Sequence, residues 1–217
     1  MKFGNETIQI LKNFATINPN MVFKQGNTLA TINAAKSIFA RVKIEETIPR
    51  EFSIYELNSL LQILSFSENQ EIEFGDKSLT ISNDMGSFEY FYCSIAISSP
   101  PEKEVKIDPL FSFTLTAKDI QSITKVAGLL AAPNLSIVSK SGKVSMKIGD
   151  KKMDASNSFH KVIGTFDQDF SADIATENLK LIPDDYEVKL SKKLACEFSS
   201  KNSSMVYLIA LEPTSKM

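Results

Sequence analysis

Few residues of this chain have the types and spacing that chemistry needs. His160 is the single histidine, which leaves no histidine-rich metal site, and although one imidazole can act as a base, "SFHKVIGTF" reads as a polar residue in a strand. Cys93 and Cys196 stand far apart and in no metal-ligand spacing, so they read as buried reduced thiols. "SGKVS" lacks the upstream glycine of a phosphate loop and has Val144 where a Ser or Thr would hold magnesium; it reads as a hairpin turn. Asp184 and Asp185 follow Pro183 and read as a solvated turn, and Asn202 begins a glycosylation triplet that has no meaning without secretion. No cofactor or metal is expected and no enzyme is indicated.

A different chemistry runs through "LKNFATIN", Leu11 to Asn18. At about 100° per residue, Ile8, Ile10, Leu11, Phe14, Ala15 and Ile17 share one half of a helix, with Gln9, Lys12, Asn13 and Thr16 on the other. Asn5 or Thr7 is the expected cap, and Pro19 the stop. "IYELNSLLQILS" from Ile54 to Ser65 winds in the same way, as does the segment from Asp119. Superposed, the polar halves give Gln9, Tyr55 and Gln121 at one position; Lys12, Asn58 and Thr124 at the next; Asn13, Ser59 and Lys125; then Thr16, Gln62 and Gly128. No acid is among them. Such side chains donate hydrogen bonds or present a cation without repelling phosphate.

These helices sit in a chain of 217 residues, 43% apolar, enough for one or two domains at roughly 150 residues each. No apolar run approaches the roughly 18 residues of a membrane span, and the N-terminus lacks the order of a signal peptide, so a soluble cytosolic protein is expected. The net charge of −2 excludes a generally basic nucleic-acid coat. Residues up to Asp108 carry 10 basic and 14 acidic side chains, those after it 14 and 12, so any basic surface must come from placement. "SSPPEKEVKIDP", residues 98–109, has the proline and charge content of a linker, which predicts domains at 1–97 and 110–217.

The two halves repeat. Thr7–Ile32 lies over Asp119–Ile148, with Gln9 on Gln121, Pro19 on Pro133 and Gly26 on Gly142. Each unit reads as helix, strand, glycine turn, strand, the turns being "KQGN" and "KSGK". Ile54–Ser65 with "EIEFG" and "KSLTIS" adds a third unit, and "DIATENLKLIP" near Ile174 with "YEVKLS" and "LACEFSS" a weaker fourth. The fold class is therefore α+β: helix plus strands four times, two copies per domain.

"LKNFATIN", "IYELNSLLQILS" and the C-terminal "VYLIALEP" (206–213), with this organisation, resemble the DNA polymerase sliding clamps of T-even-type bacteriophages. The resemblance implies a ring around duplex DNA, helices lining the hole and sheets outside. Six similar domains make such a ring, so two per chain imply a homotrimer. It also implies sequence-independent DNA binding, the DNA polymerase and the clamp loader as partners, no membrane, and action in the cytoplasm of an infected host cell. A ring-forming adaptor that binds protein tails without encircling DNA is the competing reading.

On this resemblance Lys12 and Lys125 face DNA, with Lys118, Lys180, Gln9, Asn13 and Gln121 beside them. Glu56 and Glu177 depart from a strongly basic lining. Partner peptides are expected near Ile107 and Leu110 at the linker, Ala34 to Ser37, and Leu211 to Pro213. Subunits are expected to join through strands near Phe88 to Ile95, including Tyr90, Phe91 and Tyr92, and Ser158 to Phe166, including Phe159 and Val162. The warrant is that "SFEYFYCSI" would be a hazardous exposed edge unless covered.

Overall fold

The computed structural model describes residues 1–66, 70–94, 107–153 and 156–217. The chain divides into two compact units, one of residues 1–34 and 39–103, the other of 35–38 and 104–217. Most of the expected linker lies outside the described residues.

The first unit opens with helix α1 (Asn5–Ile17), which buries Ile10, Leu11, Phe14, Ala15 and Ile17, the half expected to be apolar. Neither Asn5 nor Thr7 caps it. Gly4 is the residue before the helix, and the carboxylate of Glu46 accepts from Gly4 N–H and from the Thr7 hydroxyl. Glu46 thus holds the first turn from a neighbouring strand. Strands β1 (Met21–Phe23), β2 (Gly26–Ile32), β3 (Ile38–Ile48) and β4 (Phe52–Ile54) follow, then α2 (Leu57–Leu64) and β5 (Glu71–Phe74), β6 (Ser78–Asn83) and β7 (Gly86–Phe91). β1 pairs with β4, and β2 with β3, so the expected hairpin across "KQGN" does not form. Gly26 instead begins β2 at φ +115° beside a register shift. Ile54, expected to begin the second helix, ends β4, with its side chain fully buried. The hairpin β5-β6 forms as "EIEFG" and "KSLTIS" predict, and β7 extends it to a three-stranded meander.

The second unit holds β8 (Pro109–Leu115), α3 (Ala117–Leu129), β9 (Asn134–Lys140), β10 (Lys143–Gly149), β11 (Phe159–Thr165), β12 (Phe170–Ala175), β13 (Tyr186–Ser191), β14 (Ala195–Ser200) and β15 (Val206–Ala210). β9 and β10 join through Ser141 and Gly142, both at positive φ, the conformation a two-residue hairpin turn demands; "KSGK" is this turn. The four-stranded sheet runs β11-β10-β9-β12, and β15-β14-β13-β8 run side by side.

The fourth helix is not there. Phe170–Ala175 is strand, and only Thr176–Asn178 makes a single 3-10 turn. Ala172 and Ile174 are fully buried and paired with Ile137 and Leu135 on β9, while Pro183 leaves too few residues for a stable helix. Asp184 and Asp185 are more than a solvated turn. Asp184 accepts from Ser200 and Asn202, and Asp185 accepts from Ala117 N–H at 2.8 Å, tying the start of α3 to the chain before β13.

Candidate nucleic-acid interface

Each helix sends its apolar stripe into its own unit and leaves the polar stripe outside. Gln9, Lys12 and Thr16 are exposed on α1, with Asn13 half-buried; Asn58 and Gln62 are exposed on α2, with Ser59 half-buried. Tyr55 is exposed but precedes α2. On α3, Lys118, Gln121, Thr124, Lys125 and Gly128 are exposed. Lys118, Gln121 and Lys125 recur at helical spacing and form one row. Lys180 stands apart, half-buried after the 3-10 turn, and Glu177 is exposed on that turn.

Two acids bear on these faces. Glu6 is exposed one turn before Gln9, so the acid-free stretch of α1 begins after its first turn. Asp119 on α3 is taken out of play by its bonds. Lys161 from β11 donates to its carboxylate, and Thr116 N–H and hydroxyl donate to the other oxygen at 3.0 and 2.8 Å. The Lys161 bond is foremost in holding Asp119 down at a pKa of about 2, against the opposing effect of burial. The side chain closes a capping box with Thr116, and its charge is compensated inside the fold. Sequence reasoning missed Lys2, which lines one cleft with Ile8, Gln9, Lys12, Leu64 and Gln70. Lys2 lies outside α1, so no helical wheel contains it.

The meander of the first unit has two edges. β5 is covered by the chain start, where Ile72 N–H donates to Met1 O and the Met1 amino group to Ile72 O. Among the described residues no strand covers β7. Phe91 on it is 63% exposed, and Phe88 meets the exposed Phe66 edge-to-face at 5.8 Å. Tyr90 turns inward to donate to Glu56 O, and Tyr92, just after the strand, stacks on Phe52 at 4.9 Å. In the second unit β12 is covered by an antiparallel bridge from Ser171 to Lys216, and β11 has no further partner strand among the described residues. Val162 there is 52% exposed and Phe159 38%. Both uncovered edges carry apolar side chains outward.

Of the residues expected to receive partner peptides, those of the second unit are spread across its strands. Ile107 and Leu110 are half-buried beside and on β8, Leu211 is buried after β15, and those two strands are three places apart, about 14 Å at the usual spacing. Ser37 does meet the C-terminal strand, its carbonyl accepting from Ala210 N–H at 2.8 Å. Ala34 and Pro213 are exposed.

Residues 4–101 match the model of the DNA polymerase processivity factor family. The chain is 28% identical to the sliding clamp of Vibrio phage KVP40, over 98% of this chain and 99% of that one. It is 29% identical to the sliding clamp of Escherichia phage RB69, over 99% and 98%. Its fold matches that of an A. fulgidus PCNA solved with the C-terminal region of FEN-1, with a TM-score of 0.71 at 13% identity over 99% and 98% of the two chains. Over nearly its whole length the sequence is similar to those of phage sliding clamps, and the fold is that of the DNA clamps.

Proposed function

We propose that this chain is a processivity clamp: three copies close head to tail around duplex DNA and tether the replicative polymerase to its template. Such a clamp is not an enzyme. It acts by topology, keeping the polymerase at a high local concentration on the DNA. The observation that carries the reading is the full-length likeness to phage sliding clamps, joined to exposed helix faces that offer Lys12, Lys118 and Lys125 with little acid. A sparse cationic lining suits sliding, because it attracts any duplex through its phosphates and reads no base.

In this reading β7 of one copy lies beside β11 of the next, which covers Phe91 and Val162 and leaves the covered edges β5 and β12 out of the joint. The polymerase and the clamp loader bind as protein partners, with Ile107 and Leu110 as apolar anchors beside the linker, and the site of action is the infected host cell. The test is retention on nicked circular DNA after incubation with clamp loader and ATP. Retention on circles that is lost when the circle is linearised is expected. Equal retention on circular and linear DNA would refute encirclement, and no retention on either would favour the ring-forming adaptor.

A further inference from the structure

The two uncovered edges belong to sheets of opposite sign. In the meander of the first unit, the face away from the helices carries Glu71, Glu73 and Glu89, while β5, β6 and β7 contain no Lys, Arg or His. Glu73 and Glu89 flank Thr80 in one cross-strand row. In the second unit, β9, β10 and β11 contain Lys140, Lys143, Lys147, His160 and Lys161 and no acid. Val144, Met146 and Ile148 are buried on the helix side, so alternation puts Lys143 and Lys147 on the opposite face. His160 pairs with Lys147 across the strands and shares that face, whereas Lys161 points to the helix side, where it holds Asp119. Lys140 and Lys143 border the same cleft as His160 and Val162. No ion pair among the described residues engages Lys143, Lys147, Glu73 or Glu89.

We infer that this charge opposition sets the polarity of self-association: the acidic β7 edge of one copy selects the basic β11 edge of another, and salt weakens the joint. The inference rests on the trimer reading above and adds the chemistry of its interface. In these two sheets, as far as the described residues run, each chain has one open edge of either sign. Joining β7 to β7 would set Glu89 against Glu89, and joining β11 to β11 would bring the lysine rows together, so both two-fold pairings are repelled. The mixed pairing brings Glu89 toward His160 and Lys147, with Lys147 one strand further in, roughly 10 Å of sheet width that two long side chains can cross. That separation is comparable to the ~8 Å Debye length at physiological ionic strength, so the attraction acts chiefly on encounter rate and partner choice and is strongly screened by added salt. The apolar pair Phe91 and Val162 would hold the edges together once they meet. Head-to-tail contacts of this kind close into rings when the rotation permits.

The test uses three full-length variants and the wild type, each checked for folding by circular dichroism and followed by sedimentation across protein concentration at low and high salt. Wild type should associate at least about tenfold more weakly at 1 M than at 0.1 M salt. K143E/K147E should weaken association by about tenfold or more at low salt, as should E73K/E89K, because each variant presents two edges of one sign. The four-fold swap K143E/K147E/E73K/E89K should regain wild-type association with itself yet fail to mix with wild-type chains in native mass spectra. Should a glutamate variant lose its fold, K143Q/K147Q takes its place with a smaller loss expected. Trimers of wild-type strength in K143E/K147E, or a salt-independent wild type, would overturn the charge inference while leaving the ring intact. A wild type that stays monomeric at every concentration would instead remove the ring reading, and this inference with it.

Discussion

Lys12 and Lys125 show how much a single residue type can say. Both are exposed on helices whose other stripe is core, so neither holds the fold together. Changing both to Glu alters each chain by four charges and the proposed three-chain ring by twelve, which would act on a phosphate field even through water. We expect K12E/K125E to fold within roughly ±0.5 kcal/mol per site of wild type, and to lose processive synthesis most steeply as salt rises. Thermal melts and a salt series of primer extension check the two halves of this expectation, and wild-type processivity across the series would reduce both lysines to an ordinary solvent face. Asp173 is the opposite kind of residue. It is buried on β12, where Ser136, Lys151 and Thr214 all bond its carboxylate, and these bonds, against the cost of burial, hold its pKa below the ordinary range. Glu212 N–H donates to its backbone carbonyl at 2.7 Å and the Ser215 hydroxyl accepts from its N–H at 3.0 Å, so this one residue anchors the C-terminal segment.

At the scale of the element, α3 depends on its first turn. Thr116 accepts from Asp119 N–H while Asp119 accepts from Thr116 N–H, the reciprocal arrangement that satisfies two orphan donors. T116A should cost about 1 kcal/mol in a denaturation midpoint. Asp119 adds a dependence on pH whose sign is definite. Its folded pKa of about 2 lies below the roughly 3.9 of an unfolded Asp, so its contribution is complete above pH ~4 and disappears as pH falls through ~2. D119N should flatten the loss of stability between pH ~4 and ~2, measured by urea titration at each pH, and an unchanged slope would place the acid sensitivity elsewhere. The Lys161 ammonium is 44% exposed at the side chain, so solvent screening limits what the pair itself contributes.

For the whole molecule, the decisive feature is which strand edges remain uncovered. Among the described residues Met1 covers β5 and Lys216 bridges to β12, which leaves β7 in the meander and β11 in the four-stranded sheet without a further partner strand, each with exposed apolar side chains that would otherwise invite misassembly. Phe91 is the residue to change, because Tyr90 also donates to Glu56 and its loss would disturb α2. On the proposed ring reading, F91K should shift the assembly toward monomer by tenfold or more in concentration dependence while keeping the far-UV spectrum of wild type, since the side chain is already 63% exposed. An assembly unchanged by sedimentation would move the proposed interface off β7.

Periodicity alone determined the three helices, the core side of each, and the hairpin β5-β6, because a residue's neighbours one turn or two positions away are set by the chain itself. The Ser141-Gly142 turn was legible for the same local reason, needing only two residues able to take positive φ. Alternation in "KVSMKI" also marks Lys143 and Lys147 as one face, yet nothing local says that this face borders an uncovered edge. Tertiary structure decided everything that needs distant segments to meet: β1 pairing with β4 instead of with β2 across "KQGN", Glu46 standing in for a cap on α1, and Lys161 neutralising Asp119. It also turned the Ile174 segment from helix to strand, since a ladder to β9 and burial of Ala172 and Ile174 outweigh the weak helical preference of a stretch too short to nucleate.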